Sequence, residues 1–144
     1  MGQYNYKTLV RDHLVDNATI KSLFSAAGTG SCRVNMEHLE VSAAYPQILI
    51  GWGGGETTPN MDADKGRIYL TIECKGTGSI HAYKELGKFR AGIINAIDDK
   101  NLTGTAVCYL LQKFSDVEGF DDDRKVNYLR MGFNGEWRQN TSLP

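Results

Sequence analysis

The segment RIYLTIECKG, residues 67–76, constrains the fold most, because its side chains alternate in character with a period of two. The apolar set is Ile68, Leu70, Ile72 and Cys74, and the intervening set is Tyr69, Thr71, Glu73 and Lys75. A β-strand directs successive side chains to opposite faces of a sheet, so this alternation predicts a strand with one buried face. It also predicts that Cys74 is buried and unreactive, and we expect the same of Cys108, which lies in another apolar run.

Helical spacing of apolar residues precedes and follows this strand. Residues 4–26 carry apolar side chains three and four positions apart, and Asp16 and Asn17, both common helix caps, interrupt the stripe. This pattern predicts one helix near residues 4–15 and a second near 18–26. A third helix is predicted from Ser79 onward, with one apolar stripe formed by Ala82, Leu86, Phe89, Ile93 and Ile97.

Four further segments favour strands. They are CRVNM (32–36), YPQILIGW (45–52), TAVCYLLQKFSDV (105–117) and RKVNYLRMGFNGEWRQN (124–140), the last two rich in aromatic and β-branched residues and expected to pair as a hairpin. A chain of 144 residues fits a single domain. The order α-β-β-α-β-β predicts an α+β domain whose helices pack on one face of an antiparallel sheet of four to five strands.

The glycine-rich stretch ILIGWGGGETTPNMDADKGR, residues 48–67, matches no phosphate or calcium loop. Gly55 is followed by Glu56 instead of Lys and a hydroxyl residue at a helix start, and DADKG departs from the spacing of a calcium loop. We therefore predict a long flexible loop over about 53–66. Either Trp52 packs on the sheet, or tryptophan and loop form an arm that orders against a neighbouring subunit through Trp52, Gly53, Gly54, Gly55 and Glu56.

Charge and cysteine content exclude several classes of protein. Lys and Arg total 16 against 17 Asp and Glu, a net charge of -1, which argues against binding nucleic-acid phosphates over the whole surface. Three cysteines without a CxxC pair disfavour a secreted disulfide framework and favour a reducing cytoplasm. The polar N-terminus and the lack of a long apolar run predict no signal peptide and no membrane span. The final residues, TSLP, are expected to be disordered.

The acidic run Asp121, Asp122 and Asp123 lies between the last two predicted strands. A solvated hairpin tip is the first interpretation and a magnesium site the alternative. The histidines His13, His38 and His81 are too far apart in sequence to form an HxH or HxxxH pair. One alternative function is therefore a small metal-dependent enzyme that uses the acidic run with His81 or His38, although no metal ligand, cofactor site or catalytic residue is assigned.

The predicted third helix has a basic side formed by Lys84, Lys88 and Arg90. Such a side is either a solvated face or a surface that meets a charged partner. A second alternative function is a small nucleic-acid-binding module that uses these residues with Phe89, although the apolar stripe places Phe89 in the core.

The order of these elements resembles that of the tail terminator, or tail completion, proteins of long-tailed bacteriophages. The resemblance rests on the N-terminal helix pair, the YPQILIG strand, the long loop, the GRIYLTIECKG strand that leads into an amphipathic helix, and the final long strand pair. It implies a non-enzymatic virion protein of the tail or neck, assembled in the host cytoplasm. The implied active form is a homohexameric ring that closes the tail tube and joins it to the head connector.

The resemblance also implies the partners, which are the tail tube protein, the head–tail connector protein and duplex DNA that passes through the ring without sequence-specific binding. Ring geometry agrees with six subunits. A compact domain of this length is roughly 37 Å across, so a tetramer leaves a hole of about 15 Å and a pentamer about 26 Å. Duplex DNA is about 20 Å wide, so five is the minimum and the resemblance selects six. The candidate contact residues are Trp52, Gly53, Gly54, Gly55, Glu56, Lys84, Lys88, Arg90, Asp121, Asp122 and Asp123.

Overall fold

The computed structural model describes residues 2–26, 33–36, 45–57, 64–74, 79–104 and 106–139. These residues form three helices, α1 (Gly2–Val15), α2 (Ala18–Ala26) and α3 (Ser79–Ile97). They also form six strands, β1 (Val34–Asn35), β2 (Gln47–Thr57), β3 (Asp64–Cys74), β4 (Lys100–Thr103), β5 (Ala106–Asp121) and β6 (Val126–Gln139). None of the helices described has both the length and the apolar character needed to cross a membrane.

The strands form one sheet in the order β1-β2-β3-β6-β5-β4. The α+β class is as predicted, and the predicted antiparallel sheet of four to five strands fits only in part. The sheet has six strands, and β1 runs parallel to β2 through only two residue pairs. Both differences concern edge strands, β1 and β4, which are too short for a periodic pattern to reveal their partner or direction.

The N-terminal helices begin and end close to the predicted positions. The side chain of Asn17 accepts a hydrogen bond from the backbone N–H of Ile20 at 3.1 Å, which is the capping interaction expected of an asparagine directly before a helix. This cap separates α1 from α2. The two helices therefore present their apolar stripes to the same core instead of forming one longer helix.

We call the sheet face that packs on the helices the inner face, and the opposite one the outer face. Ile68, Leu70 and Ile72 point to the inner face and lie opposite Phe133, Met131 and Leu129 of β6, as the alternation predicts. The helices complete the core with Leu9, Leu14, Ile20, Leu86, Phe89 and Ile93. An edge contact between the rings of Phe24 and Phe89, 5.1 Å apart, joins α2 to α3.

The glycine-rich segment is more regular than predicted. β2 continues to Thr57 and β3 begins at Asp64, with Gly55 opposite Gly66 and Glu56 opposite Lys65. Much of the predicted loop over 53–66 is thus a β-hairpin, because β3 supplies partners for the backbone groups that the glycines expose. Flexibility of this segment stays a prediction. Its tip, residues 58–63, and the predicted disordered C-terminus, residues 140–144, lie outside the described residues.

Candidate functional site

The outer face of the sheet carries aromatic rings that lie on glycines. A Cβ atom added to any of these glycines would collide with the ring above it, so only glycine lets the ring lie against the neighbouring strand. The ring–glycine pairs are Tyr69 on Gly53, Phe114 on Gly132 and Tyr128 on Gly119. The glycines of β2, β5 and β6 therefore shape a surface, a role that differs from the flexibility expected for Gly53.

Two arginines stack on these rings. The guanidinium carbon of Arg130 lies 4.6 Å from the ring centre of Tyr69, and that of Arg67 lies 5.0 Å from the ring centre of Phe114. The two rings are themselves in edge contact, with their centres 6.0 Å apart. We call Arg67, Tyr69, Phe114 and Arg130 the arginine–aromatic layer. Tyrosine and arginine are enriched in the residues that dominate protein interfaces, and stacking holds these arginines in place before a partner arrives.

Strand β5 carries the exposed apolar side chains. The large hydrophobic residues exposed in the described part of the chain all belong to it: Tyr109, Leu110, Phe114, Val117 and Phe120. Leu110 is the most exposed, at 63%, and has a φ of 53°, a left-handed conformation that costs energy for any residue with a side chain. These exposed apolar side chains make β5 the candidate contact strand of the domain.

A groove of about 660 Å³ lies on this face where the two hairpins approach each other. Gly53, Lys65 and Arg67 line one side, and Tyr109 and Leu110 line the other. Lys65 lies directly opposite Glu136 of β6, which also lines the groove. A groove with an apolar wall and both signs of charge can receive a side chain of a protein partner.

Trp52 packs within its own subunit. Its ring centre lies 5.4 Å from that of Tyr6 and 5.6 Å from that of Trp137, and its ring covers Gly66. The indole N–H of Trp137 donates to the carbonyl oxygen of Gly66 at 3.1 Å. Packing of Trp52 on the sheet is therefore observed, and contact of Trp52 and Gly53 with a neighbouring subunit stays a prediction. Gly54, Gly55 and Glu56 lie in β2, and their contact with a neighbouring subunit stays a prediction.

The three basic residues of α3 differ in their surroundings. Arg90 donates to Asp116 at 2.9 Å and to Glu118 at 2.5 Å, which joins α3 to β5. Lys84 and Lys88 are exposed, one helical turn apart. Phe89 is fully buried, as the apolar stripe predicts. Phe89 therefore belongs to the core and Arg90 is engaged with β5, while contact of Lys84, Lys88 and Arg90 with a charged partner stays a prediction.

The acidic run forms the turn between β5 and β6, as predicted for a hairpin tip. Asp121 accepts hydrogen bonds from the backbone N–H groups of Asp123 and Arg124, at 3.0 and 3.2 Å, and from the Arg124 side chain at 3.2 Å. Asp122 pairs with Lys125 at 2.8 Å. In the residues that the structure covers, no three His, Cys, Asp or Glu side chains are grouped so that they could hold a metal ion. His38 and the side chain of His81 lie outside that part.

Sequence reasoning missed a buried polar network beside this turn. The alternation in β3 places Glu73 on the outer face, yet Glu73 is buried because Arg124 folds over it and forms an ion pair. Gln47 donates to Glu73 at 3.3 Å, and Asn35 donates to Gln47 at 3.5 Å. The network fastens the acidic turn to β3, β2 and β1. Its only sequence signal is a basic residue directly after the acidic run.

Both described thiols are buried, as predicted. Burial raises the pKa of Cys108 to about 12, and the nearby charge of Glu136 adds to the effect. Burial also raises the pKa of Cys74 far above its ordinary value, with Glu85 as the second cause. Since the thiolate is the reactive form, these two cysteines have a structural role in the core. Cys32 lies outside the described residues.

Comparison with known proteins gives a fold and no family. No protein-family model matches this chain, and no curated protein matches it. Among solved structures, the chain is similar to one from the virion of a native gene transfer agent particle, with a TM-score of 0.70. The match has 10% sequence identity and covers 91% of this chain and 92% of the other. At this identity, the likeness shows that the two chains share a fold over nearly their whole lengths.

Proposed function

We propose that the protein is a structural component of a phage-like virion. The observation that carries the proposal is the fold shared with a virion chain of a gene transfer agent over 91% of this chain and 92% of the other. Coverage this complete means that the shared fold extends over nearly the whole domain. The protein acts by occupying a position in the particle and contacting its neighbours, without catalysis.

Within the virion, we propose that it is the tail terminator, a homohexameric ring that closes the tail tube and joins it to the head connector. Element order supports this assignment, since the helix pair, the β2–β3 hairpin, α3 and the long β5–β6 hairpin follow one another as the resemblance requires. The arginine–aromatic layer and the exposed side chains of β5 supply contact surface for such an assembly. Duplex DNA passes through the ring without sequence-specific contacts.

Native mass spectrometry and negative-stain imaging of the purified protein, alone and with tail tubes, test this function. The expected result is a six-subunit species with a central hole wider than duplex DNA, about 20 Å, that caps one end of the tubes. A sample that stays monomeric or dimeric at high concentration and leaves tube ends uncapped contradicts the terminator assignment. A ring that is too narrow for a duplex contradicts it equally.

A further inference from the structure

The sheet ends on each side in a strand that is only partly covered. On one side, β4 pairs with β5 between Val107 and Leu111, and in the described residues nothing pairs with that side of β5 from Phe114 to Asp121. On the other side, β1 pairs with β2 at Ile48 and Leu49 alone. From Ile50 to Thr57, that side of β2 has no strand partner within the described ranges either. We call residues 114–121 the free β5 stretch and residues 50–57 the free β2 stretch. Each has eight residues, and the free β2 stretch contains a register shift against β3 between Trp52 and Gly55.

The two stretches run in opposite directions. β2 is antiparallel to β3, β3 to β6, and β6 to β5, so β2 and β5 are antiparallel to each other. Copies related by rotation around a ring axis keep the same strand direction along that axis. The β5 strand of one copy would therefore meet the β2 strand of the next in the antiparallel sense that the four central strands already have.

The free β5 stretch has little of the usual protection of an edge strand, since its register shift against β6 lies at its start, between Lys113 and Ser115. Natural edges carry charges or bulges that prevent another strand from adding to them. The stretch has three carboxylates that could repel a strand: Asp116 and Glu118 are held by Arg90 of α3, and Asp121 is held by Arg124. Phe114, Val117 and Phe120 remain exposed along it. Unpaired backbone groups beside exposed apolar side chains are the features of a strand-addition site.

The free β2 stretch is suited to close approach. It contains the glycine run, and a Cβ atom added at Gly51 would meet none of the described residues within 4 Å. Glycines in strands are typical of places where another backbone comes close. The glycine-rich sequence that matched no phosphate or calcium loop thus has a role as one half of a backbone contact.

We propose that the free β5 stretch of one copy adds antiparallel to the free β2 stretch of the next, so that subunits are joined through a continuous sheet. The proposal rests on the proposed ring function and names its subunit contact. A second copy is the occupant because the same chain provides an edge of matching length and direction. Because the two edges differ, the contact is head-to-tail, which generates a ring when the rotation closes.

The pairing register of the sheet determines how neighbouring copies are displaced along the strands. One row of the sheet joins Gly51, Tyr69, Gly132 and Ser115. The free β2 stretch extends mainly to one side of this row and the free β5 stretch mainly to the other. Pairing them shifts each copy along the strand direction, so the strands tilt against the ring axis, as a shift in register requires of any closed sheet.

Cross-linking between engineered cysteines tests the contact. Gly51→Cys and Val117→Cys are combined in a Cys32→Ser chain, because both positions face outward while Cys74 and Cys108 are buried. With a short bis-maleimide, the double variant should give a ladder of covalent oligomers on a denaturing gel, and each single variant should stay monomeric. Dimers from Val117→Cys alone would show that β5 meets β5, which overturns the proposal.

Native mass spectrometry of the same samples distinguishes a failure of the proposed subunit contact from a failure of the proposed function. A ring whose double variant does not cross-link overturns the contact and leaves the terminator assignment intact. If both the double variant and the unmodified chain remain monomeric in the presence of tail tubes, the contact and the terminator assignment are both overturned. Rings together with a ladder that ends at the ring size support both.

A charge placed on the free β5 stretch is the second test. Val117→Lys should weaken subunit association at least about tenfold, because a charge on an edge strand opposes addition of another strand. Val107→Lys is the matched control, since it makes the same substitution in the part of β5 that is paired with both β4 and β6, and it should associate normally. Circular dichroism verifies that both variants are folded. Equal association of the two variants overturns the proposal.

Discussion

The two faces of the sheet are built from the same strands and differ in almost every property. On the inner face, β3 presents Ile68, Leu70 and Ile72, all fully buried under the helices. On the outer face, the next residues along the strand are Arg67 and Tyr69, which stack with side chains of β5 and β6. The alternation of a strand thus lets one segment stabilise the domain and also present a contact surface.

The comparison is sharpest for the aromatic residues. Trp137 is fully buried, its N–H is satisfied by Gly66, and its ring contacts Tyr6 and Trp52. Phe114 is 42% exposed and lies on Gly132. A buried ring loses contacts on all sides when it is removed, whereas a half-exposed ring already meets water. The inner rings should therefore determine folding stability and the outer rings should determine association.

The largest expected effect follows from replacing one aromatic residue on each face with alanine. Trp137→Ala should lower the free energy of unfolding by about 3–5 kcal/mol, because it leaves a cavity and an unpaired carbonyl group at Gly66. Phe114→Ala should lower it by about 1 kcal/mol or less. Urea denaturation of both variants measures the difference. Equal losses would show that the outer face also carries the stability of the domain.

A smaller effect distinguishes glycines beneath a ring from glycines in open space. A methyl group at Gly66 would collide with the ring of Trp52, so Gly66→Ala should cost about 1–3 kcal/mol. Gly51→Ala meets no neighbour and should change stability by about 0.5 kcal/mol or less. Thermal unfolding compares the two at equal protein concentration. A costly Gly51→Ala would mean that this position is covered.

These contrasts show what the sequence can and cannot predict. The face on which Ile68 or Cys74 lies follows from local alternation and is confirmed. The layer that joins Tyr69 to Arg130 requires the register between β3 and β6, which no local pattern contains. The length of the β2–β3 hairpin also depends on strand pairing, because Glu56 belongs to a strand only when Lys65 lies opposite it.

The candidate site follows the same division. The turn position of Asp121–Asp123 was predicted from the two flanking strands, and it is observed. Its neutralisation by Arg124 and Lys125 depends on how the turn folds back. Arg90 was grouped with Lys84 and Lys88 by sequence, but its contact with β5 joins residues far apart in the chain. Contacts between residues far apart in the chain cannot be determined from composition or residue spacing.

The buried thiols give a pH-dependent test of the inner face. Because burial raises the pKa of Cys108 to about 12, the folded chain keeps its proton at pH values where the unfolded thiol, with an ordinary pKa near 9.0, has lost it. The unfolded state then binds fewer protons, so stability falls as pH rises above the unfolded pKa and continues to fall up to the folded one. At pH 10 the loss from this residue should be about 1 kcal/mol relative to pH 8.

Urea unfolding of the unmodified chain and of Cys108→Ala at pH 8 and pH 10 checks this expectation. Other groups that titrate in this range, such as tyrosines and lysines, are common to both chains and cancel in the comparison. The variant should be less stable at pH 8 because of the lost packing, and its stability should fall less between the two pH values. Parallel pH profiles would show that Cys108 does not remain protonated in the fold.

The smallest expected effect is that the stability difference between glycine and alanine variants has opposite signs at two exposed positions of β5. Leu110 combines 63% exposure with a φ of 53°, where a side chain costs roughly 1 kcal/mol and glycine costs little. Leu110→Gly should therefore be more stable than Leu110→Ala by a few tenths to about 1 kcal/mol, since alanine retains the strain. Val117 is similarly exposed but is not among the residues with positive φ, so Val117→Gly should be less stable than Val117→Ala.

Urea denaturation of these four variants measures both differences with the same chain as reference. Opposite signs at the two positions would show that the backbone at Leu110 is suited to glycine and that the leucine is retained at a cost to stability. Leu110 lines the groove beside Tyr109, and contact with a partner there would offset the cost of its conformation. If glycine and alanine differ in the same direction at both positions, the backbone at Leu110 is not strained. Its exposure would then be the remaining feature that suggests contact with a partner.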